Sequence, residues 1–135
     1  SYVMRPVDER LCRKTGHATG SAVHELVRLR SGQGEPLMIE TSYLPVKRFP
    51  SLDIERLENG SLYDFLTAAY GFEIHNARET LRPVMPLPQE KELLQITGTL
   101  PCILLERFTY ENGACAEYTK SIVRGDKYIF SVELK

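Results

Sequence analysis

Two arginines, Arg28 and Arg30, stand two residues apart in a segment where apolar and polar residues alternate. On a strand that spacing projects both guanidinium groups from one face, where a pair of planar forks can hold a phosphate or carboxylate bidentately. Glu40, in the next alternating run, has the parity to join them across a hairpin. A carboxylate there would orient a ligand's hydroxyl or amine while the arginines hold its anion. The same spacing also describes a solvated ion-pair ladder on an exposed sheet face, since surface ion pairs are common and weak.

Three further residues carry chemistry. Ser61 opens a helix, where free backbone N–H groups and the helix dipole favour an anion; its other role is to cap that helix. Tyr63, in the first turn, either closes a pocket or packs. Glu117 falls on a largely apolar face, and a buried carboxylate needs a partner. A tight hairpin register sets it opposite Phe108, where it either binds a sugar hydroxyl or pairs with an arginine such as Arg78.

Other chemistries lack their residues. His17, His24 and His75 are scattered and Cys12, Cys102 and Cys115 form no C-x-x-C, so neither a metal nor a cofactor is expected. There is no G-x-S-x-G, P-loop or dinucleotide fingerprint, since Gly32 and Gly34 fall in a hairpin turn rather than between a strand and a helix. No catalytic residue is assigned.

The elements that must position these side chains follow from periodicity and breakers. Tyr2 to Met4 read as a strand, and Pro6, Val7, Leu11 and Gly16 predict a short helix at about 6–15. Ser21 to Arg30 and Leu37 to Tyr43 predict a hairpin around the turn 31–35. Residues 46–58 read as irregular, with Asn59-Gly60 ending them. The helix from Ser61 carries Leu62, Phe65, Leu66 and Ala69 on one stripe and stops at Gly71. A long strand is expected over Phe72 to Val84, then a short helix over Gln89 to Ile96 closed by Gly98. Asn112-Gly113 is the favoured type I′ loop between strands near 102–111 and 114–123. A tight loop pairs Phe108 with Glu117 and Leu104 with Ser121. A final strand is expected at about 128–134. Hairpins interspersed with helices indicate the α+β class: an antiparallel β-sheet with flanking short helices.

The chain has 135 residues, 42% hydrophobic and 26% charged, which fits one folded domain. Its net charge of -1 gives no basic footprint for gripping DNA directly. Three widely spaced cysteines suggest buried thiols in a reducing compartment, and short, interrupted apolar runs predict no membrane span, so a cytoplasmic location is expected. Ser1 is not a natural start, so the chain is expected to be a piece of a longer protein.

Several segments together resemble a known family: Arg28-Leu29-Arg30, Glu35 to Pro45 (EPLMIETSYLP), Glu58-Asn59-Gly60-Ser61-Leu62-Tyr63, Glu117-Tyr118-Thr119-Lys120-Ser121 and Arg124-Gly125-Asp126-Lys127-Tyr128. In order, they resemble the UTRA domain, the effector-binding half of HutC-type GntR-family bacterial transcriptional regulators. The resemblance implies a chorismate-lyase-like fold without lyase activity. It also implies a homodimer, and DNA contact only through a separate N-terminal winged helix-turn-helix. The effector would be a sugar phosphate or other organic anion. Positions matching Arg28, Arg30, Ser61 and Tyr63 would face the phosphate, and those matching Glu40 and Glu117 the sugar. The chain departs from the pattern where relatives often carry Tyr and it has Val123, and it begins after the family's first strand and helix. The same scaffold would also serve a dimerisation module with a degenerate ligand site, or a chorismate-lyase-like enzyme.

Overall fold

The computed structural model describes residues 1–58 and 60–134; Asn59 of the expected Asn59-Gly60 break lies outside them. The chain runs β1 (Tyr2–Pro6), α1 (Glu9–Thr15), β2 (Ala22–Gly32), β3 (Glu35–Pro45), α2 (Ile54–Glu58), α3 (Leu62–Tyr70), β4 (Asn76–Val84), α4 (Pro88–Leu93), β5 (Cys102–Glu111) and β6 (Ala114–Arg124). The strands form one antiparallel sheet of order β1-β2-β3-β6-β5-β4. This is the expected α+β class.

Strand alternation gives the sheet two distinct faces. On one, Leu26, Leu44 and Ala116 meet α2 and α3 through Leu57, Leu62, Phe65 and Leu66, with Phe49 and Phe72 crossing edge to face at 5.6 Å. Each such fully buried Phe or Leu contributes about 1.5–3 kcal/mol. On the other face α1 covers Val23, Tyr43, Phe108 and Tyr118, and the segment around α4 covers Ile39 and Cys102. Burial also pushes the Cys115 thiol up to about 11, which leaves it inert at neutral pH. All three cysteines are free; Cys102 and Cys115 are buried and Cys12 only half-buried.

Caps set the helix ends. Ser61 accepts a hydrogen bond from the Asp64 amide at 3.4 Å, and α3 closes on Gly71 in the left-handed region. The α1 helix starts later than expected. Asp8, not Pro6, is its cap, accepting from the Leu11 amide, and Pro6 ends β1 on the sheet edge. The fourth strand likewise starts at Asn76 rather than Phe72, because the Phe72 amide satisfies the Leu66 carbonyl of the α3 cap and its ring is drawn into the core. Residues 54–58, expected to be irregular, form α2 around the buried Leu57.

Two expectations about the C-terminal third are overturned. Asn112 and Gly113 both have positive φ, as a type I′ turn requires, and Tyr110↔Cys115 is the tight register. Beyond that pair a bulge at Ala116 shifts the ladder by one, so that Thr109 meets Glu117, Phe108 meets Tyr118 and Leu104 meets Ile122. Phe108 therefore does not face Glu117, nor Leu104 Ser121. No strand forms at 128–134 either: the alternation is there, but β1 and β4 hold the two edges and the segment pairs with no described strand.

Candidate functional site

The face bearing α2 and α3 is apolar only at one end. Beyond Leu26 and Leu44 the same face carries Arg28 and Arg30 on β2, and Glu40 and Ser42 on β3. The register adds Glu117, Thr119 and Ser121 of β6, then Arg107 and Thr109 of β5. A polar floor thus continues from an apolar core, walled by the loop that leads into α3.

At one end, Arg28, Arg30 and Ser61 line a cleft of about 660 Å³ together with Glu58 and Gly60. Arg28 donates to Glu40 at 3.2 Å and to the carbonyls of Leu57 and Gly60 at 3.3 and 3.2 Å. Its side chain is only 9% exposed and that of Glu40 18%, which excludes the solvated-ladder reading for this pair. Arg30 is 46% exposed and lies 3.9 Å from Glu40, at the rim. Burial lowers the Arg28 guanidinium from its ordinary value, the Glu40 charge opposes that, and the Arg30 charge adds to it. Ser61 lines the cleft and its hydroxyl caps α3, which is the capping role expected of it.

At the other end, Glu117 is fully buried. It accepts hydrogen bonds from the Tyr63 hydroxyl at 2.6 Å, from Thr109 at 3.2 Å and from Thr119. Burial, then the Glu117 charge, raises the Tyr63 phenol well above its ordinary value. Tyr63 therefore packs against Glu117, and neither of them, nor Glu40, lines the cleft of about 660 Å³. The arginine beside Glu117 is Arg107, with Nε 3.7 Å away, and not Arg78, whose guanidinium lies over the Phe108 ring on the opposite face. Arg107 also stacks on the Tyr63 ring at 4.7 Å.

Arg107 is the residue that sequence reasoning missed. With Glu117 set opposite Phe108, Arg107 falls on the other face of the sheet; the bulge reverses this. Arg28 and Arg107 are also the two residues with a buried side-chain donor, Nε in each, that makes no hydrogen bond among the described residues, although Arg107 Nε keeps the Glu117 carboxylate as an ion-pair partner at 3.7 Å. Such donors are costly unless something accepts from them. The arrangement can hold an anion at the arginine end, with the Glu40 carboxylate, 18% exposed, beside it.

These features define a one-sheet α+β module with a charged concavity, the architecture of a small-molecule sensor. The chain belongs to the UTRA domain family, whose pattern it matches over residues 1–129. It is 31% identical over 130 residues to the HTH-type transcriptional repressor NagR of Bacillus subtilis, covering 96% of this chain and 53% of that protein. The effector domain of PhnF from Mycobacterium smegmatis superposes with a TM-score of 0.88 at 26% identity, covering 100% of this chain and 83% of that one. The effector-binding domain of the B. subtilis trehalose repressor TreR shares the fold, with a TM-score of 0.88 at 23% identity, covering 100% and 94%. The chain spans about half the length of the curated relatives it matches. Those relatives are transcriptional repressors, which sets aside the chorismate-lyase-like enzyme reading: the domain is regulatory. No helix among the described residues is long and apolar enough to cross a membrane.

Proposed function

We propose that this domain senses a small organic anion, a sugar phosphate by preference, and passes its occupancy to a separate winged helix-turn-helix that binds DNA. The observation that carries the reading is the cleft of about 660 Å³ lined by Arg28, Arg30 and Ser61, at which the buried Arg28–Glu40 pair ends in the exposed guanidinium of Arg30. Arg28, Arg30 and Ser61 supply donors for the anion; Glu40 supplies a carboxylate for a hydroxylated body, and the buried Glu117 holds Tyr63 and Arg107 in place behind it. That the similar TreR domain belongs to a trehalose repressor supports a carbohydrate ligand. Binding shifts the operator-binding equilibrium only through differential affinity for two states of the intact regulator.

A thermal-shift panel of sugar phosphates, amino acids and organic acids tests this. At least one sugar phosphate is expected to stabilise the domain, and Arg30→Ala to weaken it roughly tenfold, the worth of one charge-assisted hydrogen bond. No response to any member, or an unchanged response in the variant, would remove the reading.

We further propose that the regulator is a homodimer and that residues 128–134 lie against a second copy. Ile129, Phe130, Val132 and Leu134 are 90%, 66%, 63% and 89% exposed, an apolar run that one copy leaves uncovered. Light scattering is expected to give a dimer for the wild type and a monomer for the doubly substituted Phe130→Asp, Val132→Asp. A dimer surviving both changes would rule out this segment.

A further inference from the structure

The opposite face of the sheet holds a second charged cavity, of about 140 Å³, lined by Arg5, Arg10, Lys14 and Lys120 with Asp8, Tyr43 and Tyr118. Its position follows from alternation along β6: Glu117, Thr119 and Ser121 point to the concavity described above, while Tyr118 and Lys120 point to α1. Tyr43 and Tyr118 stack at 5.7 Å and form an aromatic wall. Arg10 and Lys14 come from α1 and Arg5 from β1.

The charges in this cavity do not balance. Arg5 is held by Asp8 at 2.7 Å and by Glu25 at 2.9 Å. Lys14 is held by Glu106 at 2.9 Å, and that carboxylate also accepts from the Tyr118 hydroxyl and lies 3.5 Å from Arg82. The acids nearby are thereby spent on other cations. The side chains of Arg10 and Lys120 make no ion pair or hydrogen bond with any described residue, and Lys120 is half-buried on a strand between Thr41 and Glu106. Removing an ammonium from water is costly and a second cation beside it adds to the cost; Glu25, Glu90 and Glu106, none of them in direct contact with it, offset only part. Burial, and next the Arg10 charge, pull the Lys120 ammonium below its ordinary value.

We propose that this cavity is a second anion site that takes a free tetrahedral oxoanion of the size of inorganic phosphate, held between Lys120 and Arg10 against the Tyr43–Tyr118 wall. Lysine binds phosphate as a point charge and the guanidinium of Arg10 adds a fork. The volume, about 140 Å³ against about 660 Å³ for the cleft at Arg28, suits an inorganic ion better than a sugar phosphate. The site is independent of the effector reading, since the sheet separates the two and they share no lining residue.

Titrating the isotopically labelled domain with inorganic phosphate, at constant ionic strength maintained with chloride, tests this by NMR. Saturable shifts are expected at Tyr43, Tyr118, Lys120 and α1. They should persist in Arg30→Ala and weaken roughly tenfold in Lys120→Met, the worth of one charged hydrogen bond. Arg10→Gln, at an exposed position, repeats the test if Lys120→Met fails to fold. Shifts confined to residues 28–30 and 60–61, shifts that never saturate, or an affinity unchanged by both substitutions would overturn the proposal. Replacing phosphate with a short DNA duplex separates a free ion from a backbone phosphate: saturable shifts at Lys120 with the duplex but not with the free ion would also overturn it.

Discussion

Replacing Glu117 with alanine is expected to destabilise the domain by about 3–5 kcal/mol, the usual consequence of removing one member of a buried charge network. Its carboxylate is fully buried and accepts from three hydroxyls, those of Tyr63, Thr109 and Thr119. Without it those donors lose their acceptor in a place water reaches poorly, and Arg107 loses the carboxylate at 3.7 Å. Glu117→Gln keeps the shape and one acceptor oxygen, so it should recover most of the loss. Urea unfolding of the three proteins, compared at equal m-value, measures both differences. A cost for Glu117→Ala within about 0.5 kcal/mol, as for an ordinary surface change, would show that the network is not what holds α3 on the sheet.

The same network marks where the sequence could and could not be read. Arg28, Arg30 and Glu40 were legible because strand parity and one short turn determine their relation, and the hairpin β2–β3 keeps that parity through the pairing Arg28↔Glu40. Ser61 and Gly71 were legible as caps because capping is local chemistry. The face of Arg107 was not, since it depends on a bulge at Ala116, on the other strand of the hairpin. A bulge leaves no composition signal, yet a shift of one residue exchanges the faces of everything beyond it. Glu117 was rightly singled out as a buried carboxylate, with the wrong arginine beside it for this reason.

Residues 128–134 failed for a different cause. Their alternation is a valid strand pattern, but a strand also needs a partner brought alongside it, and the described segment pairs with neither open edge of the sheet. Helix α2 was missed because five residues carry too little periodicity to stand out; it is the burial of Leu57 that fixes it. In both cases tertiary context decided what local pattern left open.

Arg28 is expected to be the position where the effector is most sensitive to substitution, and the informative change is to lysine rather than alanine. One guanidinium makes three fixed contacts: Nη2 with Glu40, and Nη1 with the carbonyls of Leu57 and Gly60. Nε is buried and makes no hydrogen bond among the described residues. Through its fixed contacts Arg28 ties the loop before α3, including Ser61, to the strand that supplies the ligand-facing donors. A lysine retains the charge but not the fork, so it can serve the loop or the ligand and not both. Arg28→Lys should therefore weaken binding of the best sugar phosphate about a hundredfold, near 2.8 kcal/mol. Arg30→Lys, at the exposed rim where a point charge suffices, should stay within about tenfold of wild type. Isothermal titration of both variants measures the contrast, with circular dichroism to show that each is folded. Equal losses at the two positions would mean that charge alone is being read. Wild-type affinity in Arg28→Lys would mean that the buried guanidinium serves the loop and never meets the ligand.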